Sequence, residues 1–171
     1  SPTTGVTGLL TSVNTFVWTI SNGTCAASSD TLTINVDPLT SAANAGSDQT
    51  ICTTSTTLAA NTPTIGIGVW SVIAGTAVVT NPANPTSAVT GLSTGLNTLV
   101  WSISNGTCAT RTDTVNITVD AIPTFANAGT DQNICSATTA TLAANTPAVG
   151  IGAWTVIAGT GAVTTANDPN S

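Results

Sequence analysis

Histidine, glutamate, lysine, tyrosine and methionine are all missing from this 171-residue chain, and its single cation is Arg111. General acid–base catalysis is mostly the work of His, Glu, Lys, Tyr or Cys held near a partner, and four of those types do not occur. The aspartates recur one per structural position and form no pair in sequence. The chain is therefore expected not to be an enzyme and to need no cofactor. Nucleic-acid binding calls for clustered Lys or Arg, and a helix lying on an anionic membrane needs a basic face; a net charge of −6 with one cation offers neither. No apolar run approaches the roughly 20 residues that span a bilayer as a helix, so membrane insertion is not expected. Helix-favouring Glu, Lys, Arg and Met are nearly absent, which argues against long helices.

What is present points to strands. Hydrophobic residues make up 41% of the chain and charged ones 5%. Thr, Val and Ile suit a pleated, half-buried surface, and Gly, Pro and Asn punctuate turns. The expected class is all-β. Four cysteines at regular positions without a neighbouring histidine suggest disulfides, and hence an oxidising, extracellular or cell-surface setting. Zinc held by four cysteines would need closely paired ligands of the CxxC kind, which are missing.

The chain repeats itself. Phe16-Val17-Trp18-Thr19-Ile20-Ser21-Asn22-Gly23-Thr24-Cys25-Ala26 returns at an offset of 83 as Leu99-Val100-Trp101-Ser102-Ile103-Ser104-Asn105-Gly106-Thr107-Cys108-Ala109. Asn44 to Gln49 returns at Asn127 to Gln132 with the same offset, while Trp70 returns as Trp154, 84 on, after one insertion between Cys135 and Leu142. Pro2 and Val6 to Leu9 match Pro85 and Val89 to Leu92, and Asp168-Pro169 matches Asn84-Pro85. One complete unit thus runs over 40–122, preceded by the back half of a unit (1–39) and followed by the front half of another (123–171). A half-unit leaves strands without partners, which is costly for backbone polar groups. Either the chain is a window on a longer array, the preferred reading, or each end is completed by a neighbouring copy.

Within 40–122 the spacing predicts strands over 44–51, 56–61, 68–74, 77–80, 86–91, 96–104 and 108–119, the pattern of a two-sheet sandwich. Alternation turns Leu99, Trp101 and Ile103 to one side with Val100 and Ser102 opposite, and turns Val115, Ile117 and Val119 inward with Thr114, Asn116 and Thr118 outside. Leu58, Trp70 and Val72 complete the expected core. Asn105-Gly106 is a tight-turn signal that joins the last two strands as a hairpin.

Asn-Ala-Gly-x-Asp-Gln-x-Ile-Cys, Val-Trp-Ser-Val, Val-Thr-Gly-Leu, Trp-x-Ile-Ser-Asn-Gly-Thr-Cys and Asp-Thr-Val-x-Ile-x-Val together resemble the PKD-like, immunoglobulin-like repeats of Bacteroidota surface and secreted proteins. The resemblance runs through all 171 residues. It implies tandem immunoglobulin-like (PKD-like) β-sandwich repeats, with a period of about 83, that act mostly as spacers in large adhesins and secreted filaments, often exported by a type 9 system. The Trp-Asp-Phe-Gly-Asp-Gly segment of the polycystic-kidney type reads Gly68-Val69-Trp70-Ser71-Val72 here, so only its Trp is kept. The resemblance also implies that Cys52 pairs with Cys108, with Cys25 and Cys135 bonded to equivalent cysteines of adjacent repeats. The alternative joins successive units, Cys25 to Cys52 and Cys108 to Cys135, each pair 27 apart. Loop entropy hardly separates the schemes, at about 4 against about 3.5 kcal/mol, and strand parity places Cys108 with the outward Thr114.

Three further sets of residues carry possible chemistry. Asp37 and Asp48, repeated as Asp120 and Asp131, flank the junction between units and are weak calcium candidates; calcium asks for six to eight oxygens, and turn or cap duty explains these residues more simply. Asp30-Thr31-Leu32 and Asp113-Thr114-Val115 look like the Asp-Thr-aliphatic acceptor of Bacteroidota O-glycosylation, and parity sets Thr31 and Thr114 on the outer face. Asn22, Asn105 and Asn116 begin N-glycosylation patterns, although the turn alone explains the Asn-Gly pairs. A β-rich surface with so little charge risks edge-to-edge association, so either sugars or filament packing should cover it. The expected function is a structural segment of an extracellular bacterial fibre, stalk or surface filament whose partners are further copies of the repeat and covalent glycans. The alternative is an adhesin repeat that binds glycans or other cells through its loops. Binding surfaces favour exposed Trp, Tyr and Arg, whereas all four Trp here occupy two equivalent positions that read as core.

Overall fold

A computed structural model describes residues 4–171; Pro2, part of the repeat match, lies outside them. The described residues form nine strands and no helix: β1 (Val13–Ile20), β2 (Ser28–Asn35), β3 (Gln49–Ile51), β4 (Thr56–Thr57), β5 (Ile67–Ala74), β6 (Val78–Val79), β7 (Ala88–Thr90), β8 (Gly95–Ser104) and β9 (Arg111–Val119). The fold is all-β. The chain divides into a unit ending at Val119 and a unit from Asp120 to Ser171. The expected break at 122/123 therefore falls slightly earlier, at 119/120, whereas residues before 40 share the first unit with the sandwich.

Seven of the nine strands build two sheets over one core. One has the order β3-β9-β8-β5 and the other β4-β7-β6. β8 and β9 pair antiparallel from Gly95↔Val119 to Ile103↔Arg111, and β5 lies antiparallel on β8 with Trp70 opposite Trp101. β3 runs parallel to β9, from Gln49↔Ile117 to Ile51↔Val119. The strict alternation of β8 explains its place at the centre of the sheet: Leu99, Trp101 and Ile103 are fully buried while Val100 and Ser102 are half-exposed. Val115, Ile117 and Val119 supply the matching face of β9 and Trp70 that of β5, while Leu58, Val89 and Leu92 close the core from the other side. Each large apolar side chain so buried contributes roughly 1.5–3 kcal/mol.

Three expectations are corrected. Val72 is not core but 36% exposed: it keeps the parity of Trp70 and lies opposite the buried Leu99, but on β5, an edge strand of its sheet. Thr114 is exposed as expected, but Asn116 and Thr118 are half-buried. The β8–β9 hairpin forms with Asn105-Gly106 opening its tight turn, in which Gly106 takes φ 50° and Cys108 N–H donates to Asn105 O at 3.0 Å, but the connection runs over 105–110 because β9 starts at Arg111 and not at Cys108.

β1 and β2 form a separate two-stranded sheet. Its register is that of β8–β9 shifted by 83: Phe16↔Leu32 answers Leu99↔Val115, and Trp18↔Asp30 answers Trp101↔Asp113. The unit from Asp120 to Ser171 has no strands, but its backbone bonds reproduce those of 41–87. Asn145 N–H donates to Asn127 O at 2.9 Å as Asn61 does to Asn44 O at 2.9 Å, and Trp154 N–H to Ala166 O at 2.8 Å as Trp70 does to Pro82 O at 2.9 Å. Leu142 N–H donates to Ser171 O at 2.7 Å as Leu58 does to Ser87 O at 2.9 Å.

Candidate functional site

The chemistry-bearing side chains gather at the exit of β2 and at the tip of the β8–β9 hairpin. Asp37, just past β2, accepts from Thr107 N–H at 2.9 Å and from its hydroxyl at 3.2 Å through Oδ2, while Oδ1 accepts from Asn35 Nδ2 at 3.0 Å. The Thr107 amide, then the Thr107 hydroxyl, hold the Asp37 carboxyl below its ordinary value of 3.8. Asn105 Nδ2 donates to Pro38 O at 2.8 Å, and the Cys108 thiol lies 3.6 Å from Asp37 O and 3.4 Å from Pro38 O. The hairpin tip is thus strapped to the exit of the preceding strand by one carboxylate and one carboxamide. Thr40, buried where the sandwich begins, adds a hydroxyl bond to Ala109 O at 3.1 Å.

Of the carboxylates singled out for calcium, Asp37 and Asp48 are engaged by amides. Asp48 Oδ1 accepts from Asn116 N–H at 2.8 Å and Oδ2 from Asn116 Nδ2 at 3.3 Å. Asp120 and Asp131 are exposed in the second unit. Among the described residues no three His, Cys, Asp or Glu side chains come together. Asp113 has a use that sequence reasoning did not assign: its Oδ2 accepts from Ala45 N–H at 2.8 Å, tying the loop before β3 to β9.

No disulfide forms among the described residues. All four cysteines are free thiols, with Cys25, Cys52 and Cys135 exposed and Cys108 half-buried. The Cys52–Cys108 bridge is overturned by topology. Cys52 follows Ile51, which pairs with Val119 at the end of β9, whereas Cys108 precedes its start. The length of β9, Arg111–Val119, at about 3.3 Å per residue holds them roughly 26 Å apart or more, against a limit of about 7 Å between Cα atoms for a disulfide.

Thr31 and Thr114 are both exposed, opposite Val17 and Val100 in their ladders. Of the N-glycosylation candidates, Asn22 is exposed, but the other two carboxamides are engaged. Asn105 bonds Pro38 as above, and Asn116 bridges Asp48 to the Thr98 hydroxyl, which donates to its Oδ1 at 3.0 Å.

Two structural residues were missed in the sequence. Asn97 is 0% exposed; its Nδ2 donates to Ser93 O at 2.7 Å and Gly95 O at 3.2 Å, and its Oδ1 accepts from Ser93 N–H and Oγ at 3.1 and 2.9 Å. The signal was legible, since Asn97 shares parity with Leu99 and recurs as Asn14, whose carboxamide bonds Leu10 in the same manner. Gly68 is the other. A Cβ there would lie 2.1 Å from the Trp101 ring, so the bare backbone forms the floor on which that indole rests. Trp70 covers the ring from the side, with centroids 5.1 Å apart at 45°.

The two half-units expose what the complete one buries. Trp18 is 69% exposed where Trp101 is 0%, and Leu32 is 62% exposed where Val115 is 1%. Of the four Trp, then, two are core; Trp18 is exposed and Trp154 half-buried, each lacking the strands that cover its counterpart. In the unit from Asp120 to Ser171 a cavity of about 490 Å³ opens over Gly152, lined by Trp154, Ala144, Asn145 and Pro169. No protein-family model and no curated protein matches the chain.

Proposed function

We propose that the chain is a structural segment of an extracellular bacterial fibre, stalk or surface filament, made of immunoglobulin-like (PKD-like) sandwich repeats with a period of about 83, and carrying O-glycans on Thr31 and Thr114. Its task is to make length. The observation that carries this reading is the residue-for-residue recurrence of the β8–β9 ladder in β1–β2, 83 positions earlier. A module copied with its strand register intact, and with its polar groups spent on caps and straps, suits a spacer. Trp70 and Trp101 are buried, which leaves the complete unit without the exposed aromatic anchors that binding surfaces favour. Electron microscopy of native material tests the reading. Uniform filaments with an axial period of one or two sandwich lengths are expected; separate short particles would defeat it.

A further inference from the structure

The passage from β1–β2 into the sandwich has no slack. Val36 N–H donates to Ser12 O at 3.1 Å, which holds the linker to the β1–β2 hairpin. Asp37 then reaches both ways, with Oδ1 on the Asn35 carboxamide and Oδ2 on the Thr107 amide and hydroxyl. Pro38 O accepts from Asn105 Nδ2, the Thr40 hydroxyl donates to Ala109 O, and Ser41 N–H donates to Ile65 O at 3.1 Å. Five of the six residues 36–41 are thereby bonded to points on the hairpin before them or the sandwich after them. A free linker behaves as a flexible coil; this one is pinned at nearly every step.

The receiving surface is shaped for a carboxylate. Gly106 takes φ 50°, and a Cβ there would run into the Asp37 carboxyl group. The bare glycine lets Oδ2 settle over the hairpin tip within reach of Thr107 N–H. Asn105 beside it supplies the donor for Pro38 O, and the Cys108 thiol lies 3.4 Å from the same carbonyl. Asn-Gly-Thr-Cys is thus explained as a seat for the linker, with no sugar on Asn105 needed. Both halves of the contact recur 83 positions apart, Asp37 as Asp120 and Asn105-Gly106-Thr107-Cys108 as Asn22-Gly23-Thr24-Cys25. Ala121 replaces Pro38, which costs no bond because only the carbonyl of residue 38 is used.

We propose that the β8–β9 tip is a docking surface for the Asp-bearing linker that precedes its own sandwich, and that this contact locks successive repeats in one fixed orientation. Identical joints apply the same rotation at every step. The array is then a stiff rod of constant twist and not a string of loose beads. The inference deepens the fibre reading and rests on it for its purpose.

The test reads the width of the distance distribution between spin labels on Cys25 and Cys52 of the 171-residue chain, both exposed and on opposite sides of the linker. Cys108→Ser, which keeps a donor towards Pro38 O, and Cys135→Ser silence the other two thiols. A narrow distribution is expected. Asp37→Ala combined with Asn105→Ala should widen it about twofold or more as the linker becomes a coil. Gly106→Ala should do the same by displacing the carboxylate from the tip. Thr76→Val, which removes an unrelated hydroxyl bond to Gly91 O, should leave it narrow. A distribution already broad before any strap residue is changed, strap variants as narrow as their parent, or broadening in Thr76→Val would each overturn the lock. Loose joints still permit filaments in native micrographs, so the failure of the lock and that of the fibre reading are distinguishable.

Discussion

The hairpins β1–β2 and β8–β9 share a register and most of their sequence, yet Trp18 stands in water and Trp101 does not. The difference lies in what faces each of them. β8–β9 is met by Gly68, Trp70, Leu58 and Val89 from the front half of its own unit, while nothing among the described residues covers Trp18. Local pairing therefore needs only the hairpin, and burial needs the second layer. The unit from Asp120 to Ser171 teaches the same from the other side. It keeps its turns, including the Asn127–Asn145 clasp, in which Asn127 N–H donates to Asn145 Oδ1 at 2.7 Å, but forms no strand. Its counterparts of β3 and β5 have no ladder partner, and backbone groups without partners remain with water.

The sharpest way to break this comparison is to truncate the same indole in both hairpins. Trp101→Ala should destabilise the sandwich by about 3–5 kcal/mol, read as a shift in the urea midpoint. Trp18→Ala in dilute, single chains should leave that midpoint nearly unmoved. Equal losses would mean that the two hairpins are not differently placed. Glycine gives the next contrast. Gly68→Ala drives a methyl into the Trp101 ring and should cost about 1–3 kcal/mol, whereas Gly152→Ala, with open space above it, should be neutral in thermal melts. A third pair sharpens the account of the polar plug. Asn97→Ala leaves the half-buried carbonyl and amide of Ser93 without partners and should lose about 1–3 kcal/mol, against a few tenths for the half-buried Asn14→Ala, whose bonds to Leu10 are exposed to water.

The smallest expected effect is a pH response at the strap between β2 and the β8–β9 tip. Asp37 has a lowered carboxyl pKa, chiefly through the Thr107 amide. A depressed carboxylate stabilises the folded state above its ordinary value of 3.8, and that contribution is lost as pH falls from there through the lower folded value. The Thr107 amide resonance should move across that window and stay still in Asp37→Asn. A shift centred above 3.8 would contradict the strap.

Much of this was legible in the chain itself. Parity along 99–103 and 115–119 selected the six apolar side chains that the two central strands bury, because a strand between two layers has only one way to hide its apolar set. Val72 escaped, since alternation gives the face of a side chain but not its strand's place at the edge of the sheet. The calcium candidates came from position alone, and only the fold showed the oxygens of Asp37 and Asp48 already taken by amides.

The repeat at an offset of 83, the strand pairs and the hairpin register are properties of sequence, because nearest-neighbour chemistry and alternation specify them. The parallel seating of β3 on β9, which carries Cys52 to the end of the sandwich away from Cys108, was settled only by tertiary structure. Spacing along a chain bounds how far apart two cysteines can be; strand direction decides where each one ends up, and no local pattern encodes it.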